Sequence, residues 1–155
     1  MSGRIVASLI VLSALVAGIA IYYLQVFYYY EETTLPADRI VLTLPGGGTA
    51  PLPASGIEAI DAGSSPIRFR ACFDTPATPE SLMESAVEYP AADPLNAPYW
   101  FGCFDATEIG RALEAGTARA FLGQGNIHHG VDRVIAVTDT GRGYIWHQVN
   151  GDIRQ

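Results

Sequence analysis

No lysine occurs among the 155 residues. Its absence excludes a Walker-type phosphate lysine and a Schiff-base lysine, since both need a primary amine on a side chain. Basic charge is scarce altogether. Nine arginines stand against sixteen acids, a net −7, which is the wrong sign for tracking a phosphate backbone, so nucleic acid is not an expected partner. Cysteine is limited to Cys72 and Cys103, and without C-x-x-C spacing a thioredoxin-like activity loses its main support. The three histidines are His128, His129 and His147. They make neither H-x-H nor H-x-x-x-H, and neighbours on a strand point to opposite faces, so no metal and no cofactor is expected. G-x-S-x-G is missing too, and Gly63-Ser64-Ser65-Pro66 lacks the strand-to-helix setting a nucleophile needs. These exclusions point away from an enzyme.

What the chain has is one long apolar run. The 26 positions from Ile5 to Tyr30 carry no charge, and Ile5 to Tyr23 alone reaches roughly 28 Å as a helix, enough to cross a bilayer's hydrocarbon region. Tyr22, Tyr23, Phe27, Tyr28, Tyr29 and Tyr30 follow as an aromatic cluster suited to the headgroup level. Residues 1–30 therefore read as a transmembrane anchor that meets the lipid bilayer through residues 5–27. Arg4 before the run and Glu31 and Glu32 after it put the N-terminus in the cytoplasm and residues 31–155 in the periplasm of an inner membrane. A cleaved signal peptide is the alternative, but it would need an A-x-A-like site, and Val16-Ala17-Gly18 is the closest approach. Ala14 and Gly18 form a small-xxx-small pair, which keeps a homodimer through the anchor open.

Residues 31–155 have the size of one small domain. Without Arg4 the balance is eight arginines to sixteen acids, or −8, and such a domain should stand off an anionic membrane surface. Asp38 to Leu44 reads as a strand, and the glycine- and proline-rich stretch after it as a loop. Ile67 to Phe73 alternates, with Arg68, Arg70 and Cys72 on the side away from the core, an ordinary solvated ion-pair face. Thr78-Pro79-Glu80 caps a helix that buries Leu82, Met83, Ala86 and Val87 and ends by Tyr89-Pro90. Tyr99 to Phe104 reads as another strand, and Asp105 to Glu108 as a capping box that opens a helix stopped at Gly116. Strands follow at Ala118 to Leu122, Val131 to Thr138 and Tyr144 to Val149, the last two joined by the turn signal Asp139-Thr140-Gly141-Arg142-Gly143. The fold predicted is α+β: a small mixed sheet, two covering helices and a C-terminal β-hairpin behind the transmembrane helix.

Cys72-Phe73-Asp74 and Cys103-Phe104-Asp105 form a faint echo 31 positions apart, each read as closing a strand before a helix. On neighbouring strands the two cysteines would come within bonding reach, so a structural disulfide is the favoured reading, with two buried thiols or a redox or metal role as alternatives. The segment from Gly123 to Arg133 concentrates glycine and hydrogen-bonding side chains. Any ligand or partner is therefore expected at Gln124, Asn126, His128, His129, Asp132 and Arg133, with Arg142 and His147 added from the hairpin. The plainer reading of that segment is a glycine-rich connection between strands.

M-S-G-R-I, Y-Y-L-Q-V, S-S-P-I-R-F-R-A-C-F, F-G-C-F-D-A, A-F-L-G, G-V-D-R-V-I-A-V and G-R-G-Y-I-W-H-Q-V-N together resemble a family of uncharacterised single-pass membrane proteins of alphaproteobacteria. The resemblance spans nearly the whole chain, is weakest at Pro45 to Pro53 and in the last five residues, and implies no catalytic residue. Members of that family are sometimes labelled histidine kinases. Here no glycine-rich ATP lid follows an asparagine-bearing helix, and neither predicted helix carries a histidine to phosphorylate. The resulting expectation is a non-enzymatic envelope protein that binds a protein partner. A ligand-binding sensory domain is the alternative.

Overall fold

A computed structural model describes residues 2–151 of the chain; the last four residues of the 31–155 segment lie outside the described part. Helix α1 spans Gly3–Tyr23 and every residue in it is exposed. With the π-helical turn Leu24–Tyr28 it makes a 26-residue apolar rod of mean hydropathy 2.5, long and apolar enough to cross a membrane. The hydroxyl of Ser13 donates to the Ile10 carbonyl at 2.9 Å, so a polar group inside the run is satisfied locally.

The domain is built on a six-stranded sheet in the order β1-β4-β5-β8-β7-β6. Its strands are β1 (Glu31–Glu32), β4 (Ser55–Asp61), β5 (Arg70–Asp74), β6 (Ala118–His128), β7 (Val131–Thr138) and β8 (Arg142–Val149). The α+β reading holds. Every pairing in the sheet is antiparallel, so it is not mixed: β8 returns from its hairpin directly onto β5, and no parallel neighbour arises. A short ribbon of β2 (Val41–Thr43) and β3 (Thr49–Pro51) lies on one face. Helix α2 (Pro79–Met83) belongs to the same side, and α3 (Ala106–Ala115) to the other.

Both faces of the sheet are buried, which explains the unbroken apolar runs Ala71–Phe73 on β5 and Val134–Val137 on β7. One layer joins Ala71, Phe73, Ile135, Val137 and Ile145 to Ile40, Leu42, Leu52, Leu82 and Phe121. The opposite layer joins Ile60, Cys72, Val134, Ala136 and Trp146 to Phe101, Phe104 and Ile109. Outer strand β6 is partly covered: Tyr89 N–H donates to Ala120 O and Leu122 N–H donates to Val87 O, each at 2.8 Å. That detour explains why α2 stops early, because Val87 and Tyr89 are needed in extended geometry to cap a sheet edge.

Caps and glycines act where the sequence suggests. Thr78 and Ser81 form a reciprocal capping box on α2, Asp105 accepts from the N–H groups of Thr107 and Glu108 on α3, and Gly116 ends α3 at φ 75°. Gly143 is the tightest of the described glycines. A Cβ there would come within 2.2 Å of Phe73 Cζ in the buried layer. Gly143→Ala is expected to cost about 2 kcal/mol or more by overpacking, seen as a lower urea midpoint at unchanged slope.

Several expected elements are different. Residues 99–104 form turns and not a strand, because their aromatics cover the sheet instead of joining it. The echo of the two Cys-Phe-Asp tripeptides therefore ends a strand only at its first copy. Arg70 is not on a solvated face: it is 3% exposed, since the 91–97 segment lies over it. Met83 and Val87 are not part of a fully buried stripe; Met83 is exposed and Val87 half-buried.

Candidate functional site

The Gly123 to Arg133 segment is less a loop than the far end of the β6–β7 hairpin. β6 runs on to His128, with shifts in pairing between Leu122 and Gln124 and between Gln124 and His128. Bulges of this kind let glycines and polar residues remain in a strand while bending it. Asn126 sits at φ 48°, a left-handed geometry that asparagine tolerates, and its side-chain oxygen accepts from Gly130 N–H at 3.1 Å.

The structure divides the eight candidate residues among four places. Asp132 points to the α3 side of the sheet and is 8% exposed. Its carboxylate accepts from Tyr89 Oη–H at 3.0 Å, from Asn126 N–H at 2.8 Å and from Asn150 Nδ2 at 2.8 Å. Burial and the acidic neighbour push the Tyr89 phenol up to about 12. Asp132 thus ties the hairpin tip to the chain after α2, and Tyr89 and Asn150 are the partners that sequence reasoning missed.

Arg133 and His147 face the other side, opposite one another in register. Arg133 Nε–H donates to His147 Nε2 at 3.1 Å, and His147 Nδ1 lies 2.9 Å from Pro66 O. A donor at Nε2 requires an unprotonated nitrogen there, so the ring is neutral, with its hydrogen on Nδ1 aimed at Pro66 O. Phe69 stacks on the imidazole at 4.8 Å and receives the Arg133 guanidinium at 5.0 Å. Burial is the largest influence on His147, and it holds the pKa down at about 4.

The unfolded histidine takes a proton near its ordinary 6.5 and the folded one only near 4, so stability is full above 6.5 and is lost as pH falls toward 4. The loss between pH 7 and pH 5 is expected to be roughly 2 kcal/mol. His147→Gln should flatten that slope in urea titrations at the two pH values.

Arg142 is elsewhere. It lies at the start of β8, five positions before His147 along one strand, and pairs with Asp74 at 3.0 Å. Asp132, His147 and Arg142 therefore do not converge in one cleft. Gln124, His128 and His129 are exposed at the hairpin tip, together with Asn126. A separate cleft of about 290 Å³ opens between α3, β6 and the chain after α2. It is lined by Tyr89, Leu113 and Ala120 and rimmed by Arg119 and Glu88, whose charged groups are 3.8 Å apart.

Cys72 and Cys103 have their sulfurs at disulfide-bonding distance, 2.11 Å, with Cα atoms 6.2 Å apart. The partner of β5 here is not a neighbouring strand. Cys103 sits in the turn that precedes the cap of α3.

A family model described as a family of unknown function (DUF6446) matches residues 39–154. No curated protein and no solved structure matches the chain.

Proposed function

The chain belongs to the DUF6446 family, a family of unknown function, and we propose that it is a non-enzymatic, membrane-anchored accessory protein of the cell envelope. In this reading α1 crosses the inner membrane with its N-terminus in the cytoplasm, and the domain stands in the periplasm and binds another envelope protein. One observation carries it: the ionisable candidates Asp132, Arg133 and His147 are committed to contacts that hold the fold together, while Gln124, His128 and His129 are presented outward on a braced hairpin tip. Catalysis needs reactive groups aimed at a shared cavity, whereas a rigid exposed tip suits recognition.

A photo-crosslinking residue at Gln124, His128 or His129 is expected to give one discrete adduct in intact cells. The same residue at Arg111 or Glu114, exposed on α3, should give none. Equal crosslinking from both places, or none from the tip, counts against the proposal. An adduct of twice the chain's mass would identify a second copy as the partner, in line with Gly18 facing open space on α1. A reporter active only outside the cytoplasm, fused after Gln155, tests the orientation.

The cleft beside Tyr89 supports a ligand-binding sensory role as the second reading. Saturable thermal stabilisation by a small molecule, lost in Arg119→Ala, would favour it over the first.

A further inference from the structure

The domain is not joined to α1 by a loose tether. The anchor ends in the π-helical turn Leu24–Tyr28, and the domain reaches back to that turn. Trp100 indole N–H donates to Val26 O at 2.8 Å. The Tyr99 ring meets Phe27 edge-on at 5.9 Å, and Trp100 meets Tyr30 at 6.3 Å. Arg68 donates to the Gln25 amide oxygen and lies 5.4 Å over the Tyr30 ring. Glu31 and Glu32 then pair at once with β4. Carbonyls at a helix end have no partner in their own helix and need a donor from elsewhere. Trp100 supplies the donor that Val26 needs.

Depth follows from helix geometry. A hydrocarbon core of about 30 Å takes about 20 residues, so a span beginning at Ile5 ends near Leu24. Val26 and Phe27 then lie about 3 to 5 Å beyond that edge, in the headgroup layer, and the groups touching them lie at the same depth. Tyr99 is 71% exposed and Tyr28 is 64% exposed. Such rings are favoured at an interface where one end is apolar and the other wet. Attraction to anionic lipid is not the cause, because the nearest acids, Glu31 and Glu32, are exposed beside the turn.

We infer that residues 98–102 form a second membrane contact, which seats the domain on the leaflet where α1 emerges and places Tyr99 and Trp100 in its headgroup layer. This rests on the anchor reading above, and it replaces the expectation from net charge that the domain stands clear of the surface. The aromatic contact sets the seating because Phe27 meets Tyr99 and Tyr30 meets Trp100 at the anchor, while Glu31 and Glu32 beside them pair with β4.

The test uses the full chain reconstituted in phosphatidylcholine vesicles, with and without bromine on the acyl chains. Trp100 of the wild-type chain reports depth, since Trp146 is fully buried in the core. At least two-fold quenching by lipid brominated near the headgroup is expected, weaker quenching by lipid brominated near the chain end, and little change when anionic lipid is added. Subtracting the signal of Trp100→Phe isolates the Trp100 component, and if that variant does not fold, the fraction of the wild-type signal that brominated lipid quenches is the readout. Vesicle-bound protein whose indole is untouched by brominated lipid but fully quenched by aqueous iodide overturns the inference alone. Protein that does not float with the vesicles overturns the anchor reading and this inference together.

Discussion

Arg70→Ala is expected to destabilise the protein by about 3 to 4 kcal/mol, read as a lower urea midpoint of the full chain in detergent with the buried Trp146 as reporter. The guanidinium is 3% exposed and donates to four main-chain carbonyls. Nε bonds Leu95 O at 2.8 Å, Nη1 bonds Ile67 O at 2.8 Å and Phe69 O at 2.7 Å, and Nη2 bonds Asn96 O at 3.1 Å. Phe104 lies beneath it, with its ring centre 5.8 Å from the guanidinium carbon. Burial lowers the pKa to about 10, so the group stays charged at neutral pH, held by carbonyl dipoles in place of a carboxylate. Truncation leaves these carbonyls without their donor, at about 1 to 3 kcal/mol for each one that stays dry. The recovered desolvation of the charge offsets part of that sum. Arg70→Lys is expected to regain less than half of the loss, because one ammonium cannot span carbonyls on both the 67–69 segment before β5 and the 95–96 segment. A change below 1 kcal/mol in Arg70→Ala would show that water fills the site.

Arg70 also shows where sequence reasoning stops. Alternation along Ile67 to Phe73 is real, and it normally marks one wet face. Here the second face is covered by residues distant in sequence, and the partners of Arg70 are carbonyls, which a sequence does not display. Elements defined by local chemistry were legible. The apolar run, the Asp105 cap and Gly116 stop of α3, and the β7–β8 hairpin all follow from neighbours within a few positions. Elements defined by tertiary pairing were not. β4 has no readable period because of the bulge between Ser55 and Glu58, and β6 reads short because its bulged end carries the glycines of a loop. The candidate site suffered in the same way. Polar residues close in sequence do not make one site, because Asp132 and Arg133, adjacent on a strand, point to opposite faces.

Removing the disulfide is the other change expected to have a large effect. Cys72→Ala with Cys103→Ala should cost roughly 3 to 4 kcal/mol by the loop-entropy estimate for the 31-residue separation. Cys72 and Arg70 lie two positions apart on β5 and so share a face, and both fasten the 91–104 cover, the first through Cys103 and the second through Leu95 and Asn96. Their losses should not add. Once the cover is freed at one point, the second fastening orders less chain, so the triple variant is expected to fall short of the sum by about 1 kcal/mol or more, and strict additivity would show that the two hold separate parts. The bond also reports on compartment. Cys72 is fully buried, so a maleimide added to folded protein cannot reach it, and thiols must be blocked in cells, then unfolded and counted with and without reductant. No free thiol before reduction and two after it is the result expected of a domain that folds in an oxidising space. Two free thiols from the outset would place folding in a reducing one, where the cover is still held by Arg70 and by Gln148, which bonds Ala91 O and Asp93 N–H, and Arg70→Ala should cost less than it does with the disulfide closed.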